Sequence, residues 1–136
     1  MKLTELLGED DFLLGLPSRE KRSALEAVAS RLGSRTGRPQ GQALNALLRR
    51  ERLGSTATGD GLAMPHAAFA GVSVPAAVIA TMKHPVSFDA PDDGDVDLLL
   101  GLLWPSDVRG FLLTLSQSSR LLRQPSYREC LRKATS

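Results

Sequence analysis

The sequence predicts an α/β protein, a sheet covered by helices, and three observations predict it. Residues 74–82 are an apolar run with little alternation, which reads as a strand buried on both faces. Residues 96–104 form a second, long apolar strand. Around them leucines recur at helical spacing, giving the order strand, helix, helix, strands, helix, helix.

Taken in order, residues 1–8 are a short amphipathic start, with Leu3, Leu6 and Leu7 on one side of a helical turn. Residues 12–16, closed by Pro17, read as a buried strand. Ser18 then caps a helix through Leu25, Val28 and Leu32, which Gly33 ends. Its Arg19, Lys21 and Arg22 read as a solvated face. Residues 34–41 form a polar loop around Gly37, Pro39 and Gly41. Residues 42–50 are a second helix, with Ala43, Leu44, Leu47 and Leu48 on its apolar side. Small residues connect 67–73, and Pro75 belongs at the start of the next strand. Lys83, His84 and Pro85 read as a loop, 86–88 as a short edge strand, and 89–95 as an acidic turn. That turn lacks the twelve-residue, glutamate-closed pattern of a calcium loop. Past the 96–104 strand, Pro105, Ser106 and Asp107 open a helix with Leu112, Leu115 and Leu122 on one stripe. Gln124 and Pro125 break it, and Ser126 and Glu129 have the spacing of a capping box for a last helix ending near Ala134.

A chain of 136 residues suits one domain, 1–136, with a real core. Its net charge of +2 comes from 17 basic and 15 acidic residues, too even a balance to argue for nucleic acid. The single cysteine, Cys130, has no internal disulfide partner and suits a reducing compartment. Residues 1–20 carry no signal-peptide pattern, and no apolar run reaches the ~18 residues of a membrane span. The expectation is a cytoplasmic protein.

The chemistry concentrates between Arg49 and His66. Charge at the end of the second helix gives way to a loop with Gly54, Gly59 and Gly61, threaded with Ser55, Thr56 and Thr58. A short apolar run, residues 62–64, leads into Pro65 and His66. Hydroxyls and free N–H groups in such a loop face an anion well, and an arginine grips phosphate oxygens through paired hydrogen bonds. A histidine at the end of the run can be the group that carries a phosphoryl. Arg49 and Arg50 also suit the negative end of a helix dipole, which is the plainer account of Arg49. His84, before a proline, reads as an ordinary surface residue, Cys130 as a packing residue and Trp104 as core. The two histidines and one cysteine lack metal-ligand spacing.

Arg50-Glu51, Gly54-Ser55-Thr56, Gly59, Gly61 and Ala63-Met64-Pro65-His66 resemble the enzyme IIA signature of the bacterial phosphotransferase system, in its fructose, mannitol and nitrogen-regulatory branch. Ala57, Thr58 and Met64 are variations within the signature. Residues 88–92, Val96-Asp97-Leu98-Leu99 and Pro105 look most like the nitrogen-regulatory enzymes IIA, and the similarity covers roughly residues 12–134. The resemblance implies a three-layer α/β/α sandwich around a mixed sheet, a topology that periodicity alone does not give. It implies that His66 accepts a phosphoryl group from a histidine-containing phosphocarrier protein (HPr/NPr-like) without metal or cofactor. Arg50 would offset the dianion, and Ser55 and Thr56, the second favoured, would hold its oxygens. Many family members carry a second histidine early in the helix after Pro105. By register that place falls at Phe111, with Arg109 close by as a substitute.

The leading expectation is a phosphoryl carrier whose phosphorylation state signals to regulatory proteins. A sugar-transport enzyme IIA that passes phosphate to an enzyme IIB shares the signature, but the missing second histidine counts against it. A binding module that has lost phosphotransfer is the third reading, and the intact Arg50 and Pro65-His66 set counts against that. No Ser-His-Asp or paired-carboxylate arrangement supports a hydrolase.

Overall fold

The computed structural model describes residues 2–72 and 74–134. Met1 and Ser73, which end two of the stretches read above, lie outside the described residues, as do Thr135 and Ser136. The helices are α1 (Leu3–Leu6), α2 (Lys21–Thr36), α3 (Gln40–Arg52), α4 (Phe111–Leu122) and α5 (Pro125–Lys133). The strands are β1 (Phe12–Leu16), β2 (Ala57–Gly59), β3 (Leu62–Ala63), β4 (His66–Phe69), β5 (Ala76–Val86) and β6 (Val96–Pro105). They form one mixed sheet, β1-β5-β6-β3-β2, with β4 also on β6. β5 and β6 are antiparallel, whereas β1 runs parallel to β5, and β3 and β4 run parallel to β6.

Helices cover both faces, giving the α/β/α sandwich. Val78, Ala80 and Met82 of β5 and Leu99 and Leu103 of β6 pack with Leu25, Val28 and Leu32 of α2 and Leu47 of α3. The alternate residues Ala77, Ile79, Leu98, Leu100 and Leu102 pack with Leu3, Leu6, Leu122 and Leu131 on the other face. A continuous apolar run is therefore what a doubly covered strand requires. Gly101 lets α2 come close: a Cβ there would lie 2.3 Å from Val28 Cγ1. Among the described residues no helix is long and apolar enough to cross a membrane.

Several expected boundaries move. β1 is a sheet edge and only partly buried. α2 starts at Lys21, after an extended Glu20, so Ser18 is not its cap. It runs through Gly33 to a left-handed Gly37. The N–H groups of Gly37 and Arg38 both donate to the Gly33 carbonyl. Gly33 is instead a close-packing position, since a Cβ there would meet Arg38 O at 2.7 Å. The polar loop shrinks accordingly, because α3 begins at Gln40. Lys83, His84 and Pro85 stay in β5, and Val86 pairs with Val96 across the same hairpin rather than forming a separate edge strand. Residues 67–69 of the expected connection belong to a strand that His66 opens.

Two helix starts also differ. Pro105, Ser106 and Asp107 end β6 and form a turn, and α4 begins only after the left-handed Gly110. The inner stripe of α4 is Thr114, Ser118 and Leu122, which leaves Leu112 79% exposed. α5 starts with Pro125 at its first position after Gln124 and has no side-chain cap, so Ser126 and Glu129 make no capping box.

Candidate functional site

The edge of β6 positions the site. β3 and β4 add to it in succession, in parallel register, and His66 opens β4 opposite Leu102. Pro65 sits between the two short strands, and its carbonyl accepts the Leu102 N–H at 3.0 Å. β2 and β3 form a small antiparallel hairpin within the glycine-rich stretch. Its turn needs three positive φ angles in a row, 99° at Gly59, 57° at Asp60 and 78° at Gly61, which explains the two glycines.

His66 is half-buried, and its ring is held on three sides. Nδ1 lies 2.7 Å from the Met64 carbonyl oxygen. A carbonyl only accepts, so Nδ1 carries the proton and Nε2 keeps its lone pair. Arg50 Nε–H donates to that Nε2 at 3.3 Å, while Arg50 Nη1 donates to the Gly54 carbonyl at 2.9 Å. The Phe111 ring meets the imidazole edge to face, 5.6 Å between centroids, and stacks in turn on Trp104 at 5.7 Å. Trp104 is fixed by its indole N–H to the Val108 carbonyl at 3.0 Å.

Electrostatics favour the neutral ring. Burial lowers the His66 pKa below its ordinary 6.5; the Met64 carbonyl pulls it up, Arg50 lowers it further and Glu51 raises it. An NMR titration of the ring should therefore give a midpoint below 6.5, the value from which it is shifted. Arg50→Met should move that midpoint upward by removing a neighbouring positive charge. A midpoint above 6.5 would contradict this arrangement.

Ser55 and Thr56 reach the same cleft, but their hydroxyl protons are committed elsewhere. The cleft, of about 340 Å³, is lined by Arg50, Ser55, Thr56, Met64, His66 and Leu112 among others. Ser55 Oγ donates to the Phe88 carbonyl and accepts from the Ala57 N–H at 3.1 Å. The buried Thr56 donates to Glu51 from its hydroxyl and, at 3.2 Å, from its backbone N–H. What these two residues do visibly is shape the loop.

Glu51 is the residue whose role the sequence did not disclose. Its carboxylate is 5% exposed and lies 2.8 Å from Lys21 Nζ. Lys21 also sits 5.1 Å from the centroid of the Phe88 ring, so it is no part of a solvated face. The pair ties the start of α2 to the glycine-rich loop. Glu51→Gln keeps the volume and an acceptor for Thr56 but leaves Lys21 only the exposed Asp89, 3.9 Å away, as a counter-charge. It should cost about 1–3 kcal/mol in urea unfolding. A loss below about 0.5 kcal/mol would show the pair to be ornamental. Glu51 stands beside Arg50 in the signature, but Lys21 lies 30 positions earlier and no local spacing links them.

Phe111 occupies the place expected from register, against the imidazole. Arg109 is exposed, as is Cys130. His84 lies away from the cleft, with Nε2 3.2 Å from Arg19 Nη2. Ser116 and Ser119 of α4 complete the cleft wall, which sequence reasoning did not anticipate. Among the described residues no three His, Cys, Asp or Glu side chains gather as they would around a metal ion.

Residues 5–136 match the family model of the phosphoenolpyruvate-dependent sugar phosphotransferase system, EIIA 2. The chain belongs to that family. This EIIA chain is 32% identical to the nitrogen regulatory protein of Bradyrhizobium diazoefficiens over 97% of its own length and 87% of the relative's. It is also 32% identical to the nitrogen regulatory protein of Pseudomonas aeruginosa, over 98% and 88% of the two chains. The crystal structure of the nitrogen regulatory protein IIA-Ntr from Neisseria meningitidis superposes with a TM-score of 0.90 at 32% identity, covering 97% of this chain and 91% of that one. The mannitol IIA of Escherichia coli, 22% identical with a TM-score of 0.78 over 96% and 92% of the chains, shares the fold. Family and relatives together support a phosphoryl-carrying, regulatory role in the nitrogen phosphotransferase system.

Proposed function

We propose that the chain works as one unit, residues 1–136, and is a stoichiometric phosphohistidine carrier in the cytoplasm. His66 Nε2 takes the phosphoryl group from a histidine-containing phosphocarrier (HPr/NPr-like), and the acquired charge changes which regulatory protein it binds. The observation that carries this reading is the anchored ring: Nδ1–H on the Met64 carbonyl leaves the Nε2 lone pair facing Arg50 at the cleft.

Transfer between two imidazoles passes through a loose transition state, so positioning and charge neutralisation do most of the work. The Nε2 lone pair attacks phosphorus as the donor's P–N bond breaks, and the donor histidine leaves. The ring gains positive charge, which the Met64 carbonyl stabilises through Nδ1–H. Arg50, already beside Nε2, turns its guanidinium to the phosphoryl oxygens. Ser55 and Thr56 contribute by fixing the loop, and their N–H or hydroxyl groups hold the oxygens only if the Glu51 and Phe88 contacts exchange. The lone pair suffices as nucleophile, so the step asks for no metal.

The Phe111 ring against His66 weighs against relay to a sugar-specific enzyme IIB, because it offers no hydrogen bond to a phosphohistidine. The reading is tested by mass mapping after incubation with the phosphocarrier charged from phosphoenolpyruvate. One phosphate on the peptide containing His66 supports it, and phosphate elsewhere overturns it.

A further inference from the structure

We infer that the protein docking at His66 presents an acidic face. The inference rests on the carrier reading above and goes beyond it, because it concerns charge outside the reacting atoms. His66 and Arg50 line two clefts at once, the one described and a second that includes Arg49 and Leu53. A third cleft, lined by Ser116, Ser119, Arg120 and Arg123, shares both serines with the first. No aspartate or glutamate lines any of the three.

Ion pairing divides the arginines of the chain. Arg22, Arg31, Arg35, Arg128 and Arg132 each stand within 4.0 Å of a carboxylate oxygen. Among the described residues the other eight arginines are in no such pair, and of these Arg49, Arg120 and Arg123 are exposed and line the clefts around His66. In the acidic turn, Asp92 lies at the tip of the β2–β3 hairpin, where it accepts from the Asp60 N–H at 3.3 Å, and Asp89 stands 3.9 Å from Lys21. A net charge of +2 therefore conceals a cationic rim around His66. Leu53 and Leu112, 84% and 79% exposed, sit inside that rim. An apolar centre within an unpaired cationic border fits a protein surface of matching shape and opposite charge, and such a border acts mainly on the rate of encounter.

The test uses the full chain with Arg49→Glu, Arg120→Glu and Arg123→Glu combined, and the neutral Arg→Gln counterpart. Affinity for the unphosphorylated histidine phosphocarrier is measured by calorimetry, with melting curves to confirm that both variants fold. Charge reversal should weaken binding about tenfold or more, with the neutral variant in between. Wild-type affinity should also fall between about 0.05 and about 0.5 M salt, and the reversed variant should lose that dependence. Affinity that is unchanged or tightened by reversal, or wild-type affinity indifferent to salt, overturns the inference. So does a rim that instead proves necessary for binding a DNA duplex while the phosphocarrier is unaffected. Labelling by phosphoramidate, a small donor that needs no docking face, separates the two readings. All three proteins should be labelled at His66 within about twofold of one another, since the imidazole and Arg50 are unchanged and exposed charges are partly screened by salt. Failure of wild-type labelling would count against the carrier reading while leaving the affinity measurement to decide the docking face.

Discussion

His66→Ala should take up no acid-labile phosphate from a phosphoenolpyruvate-charged phosphocarrier, whereas the parent chain takes up one equivalent. The expectation follows from the nucleophile itself. Transfer needs a lone pair aimed at phosphorus, and under the proposed function the His66 imidazole supplies it in this cleft. Its proton is pinned on Nδ1 by the Met64 carbonyl at 2.7 Å, and its opposite nitrogen points to Arg50. Alanine removes the proposed nucleophile without touching the loop contacts of Ser55, Thr56 and Glu51. The folded state should therefore survive, and circular dichroism can check that it does. His84→Ala serves as the control. That ring contacts Arg19 at an exposed site, so its loss should leave uptake at the parent level. Equal labelling of the His66→Ala chain, or a dead His84→Ala chain, would show that the wrong imidazole has been chosen.

Arg50→Ala should slow phosphorylation about 10²–10³-fold, the loss typical when one preorganised charge-stabilising group is removed from a reacting centre. Arg50 is placed for this by two constraints. It lies in the last turn of α3, where cations are favoured, and its Nη1 is tied to the Gly54 carbonyl at 2.9 Å. The guanidinium is thus held beside Nε2 before any phosphoryl group arrives. Its worth to folding is much smaller, under about 1 kcal/mol for a helix-end cation with one exposed hydrogen bond. Rapid-quench kinetics and a melting curve together decide the matter. A normal rate with a large drop in Tm would assign Arg50 to the fold rather than to the chemistry.

The parts of the fold that side-chain pattern controls were legible in the sequence. β6 and most of β5 announce themselves as continuous apolar runs because helices cover both their faces. The parts set by backbone pairing were not. β4 consists of His66, two alanines and Phe69, and it is a strand because β6 offers it a parallel partner. β2 and β3 are three and two residues long, below the length at which alternation can be read. Lys83, His84 and Pro85 looked like a loop because they are polar, yet they carry β5 on to Val86, which pairs again after a register shift. In α4 the apolar stripe holds in part: Leu122 is buried and Leu115 packs on the core, but Thr114 and Ser118 also face inward and Leu112 faces the cleft.

The site divides along the same line. Arg50 and His66 stand 16 positions apart in one recognisable stretch, and they meet in space. The hydroxyls of Ser55 and Thr56 also belong to that stretch, but their hydrogen bonds reach to Phe88 and Glu51. Glu51 in turn depends on Lys21 from another helix. Such contacts are tertiary facts with no local period. The cationic rim is hidden for a similar reason, because it is assembled from the end of α3 and the outer face of α4.

The most direct measurement is NMR of the phosphorylated chain with ¹⁵N-labelled histidine. One new phosphorus–nitrogen coupling, at Nε2 of His66, with Nδ1 still protonated against the Met64 carbonyl, is the predicted result. Coupling at Nδ1 of that ring, or phosphate resident on any other side chain, would contradict the account at its centre.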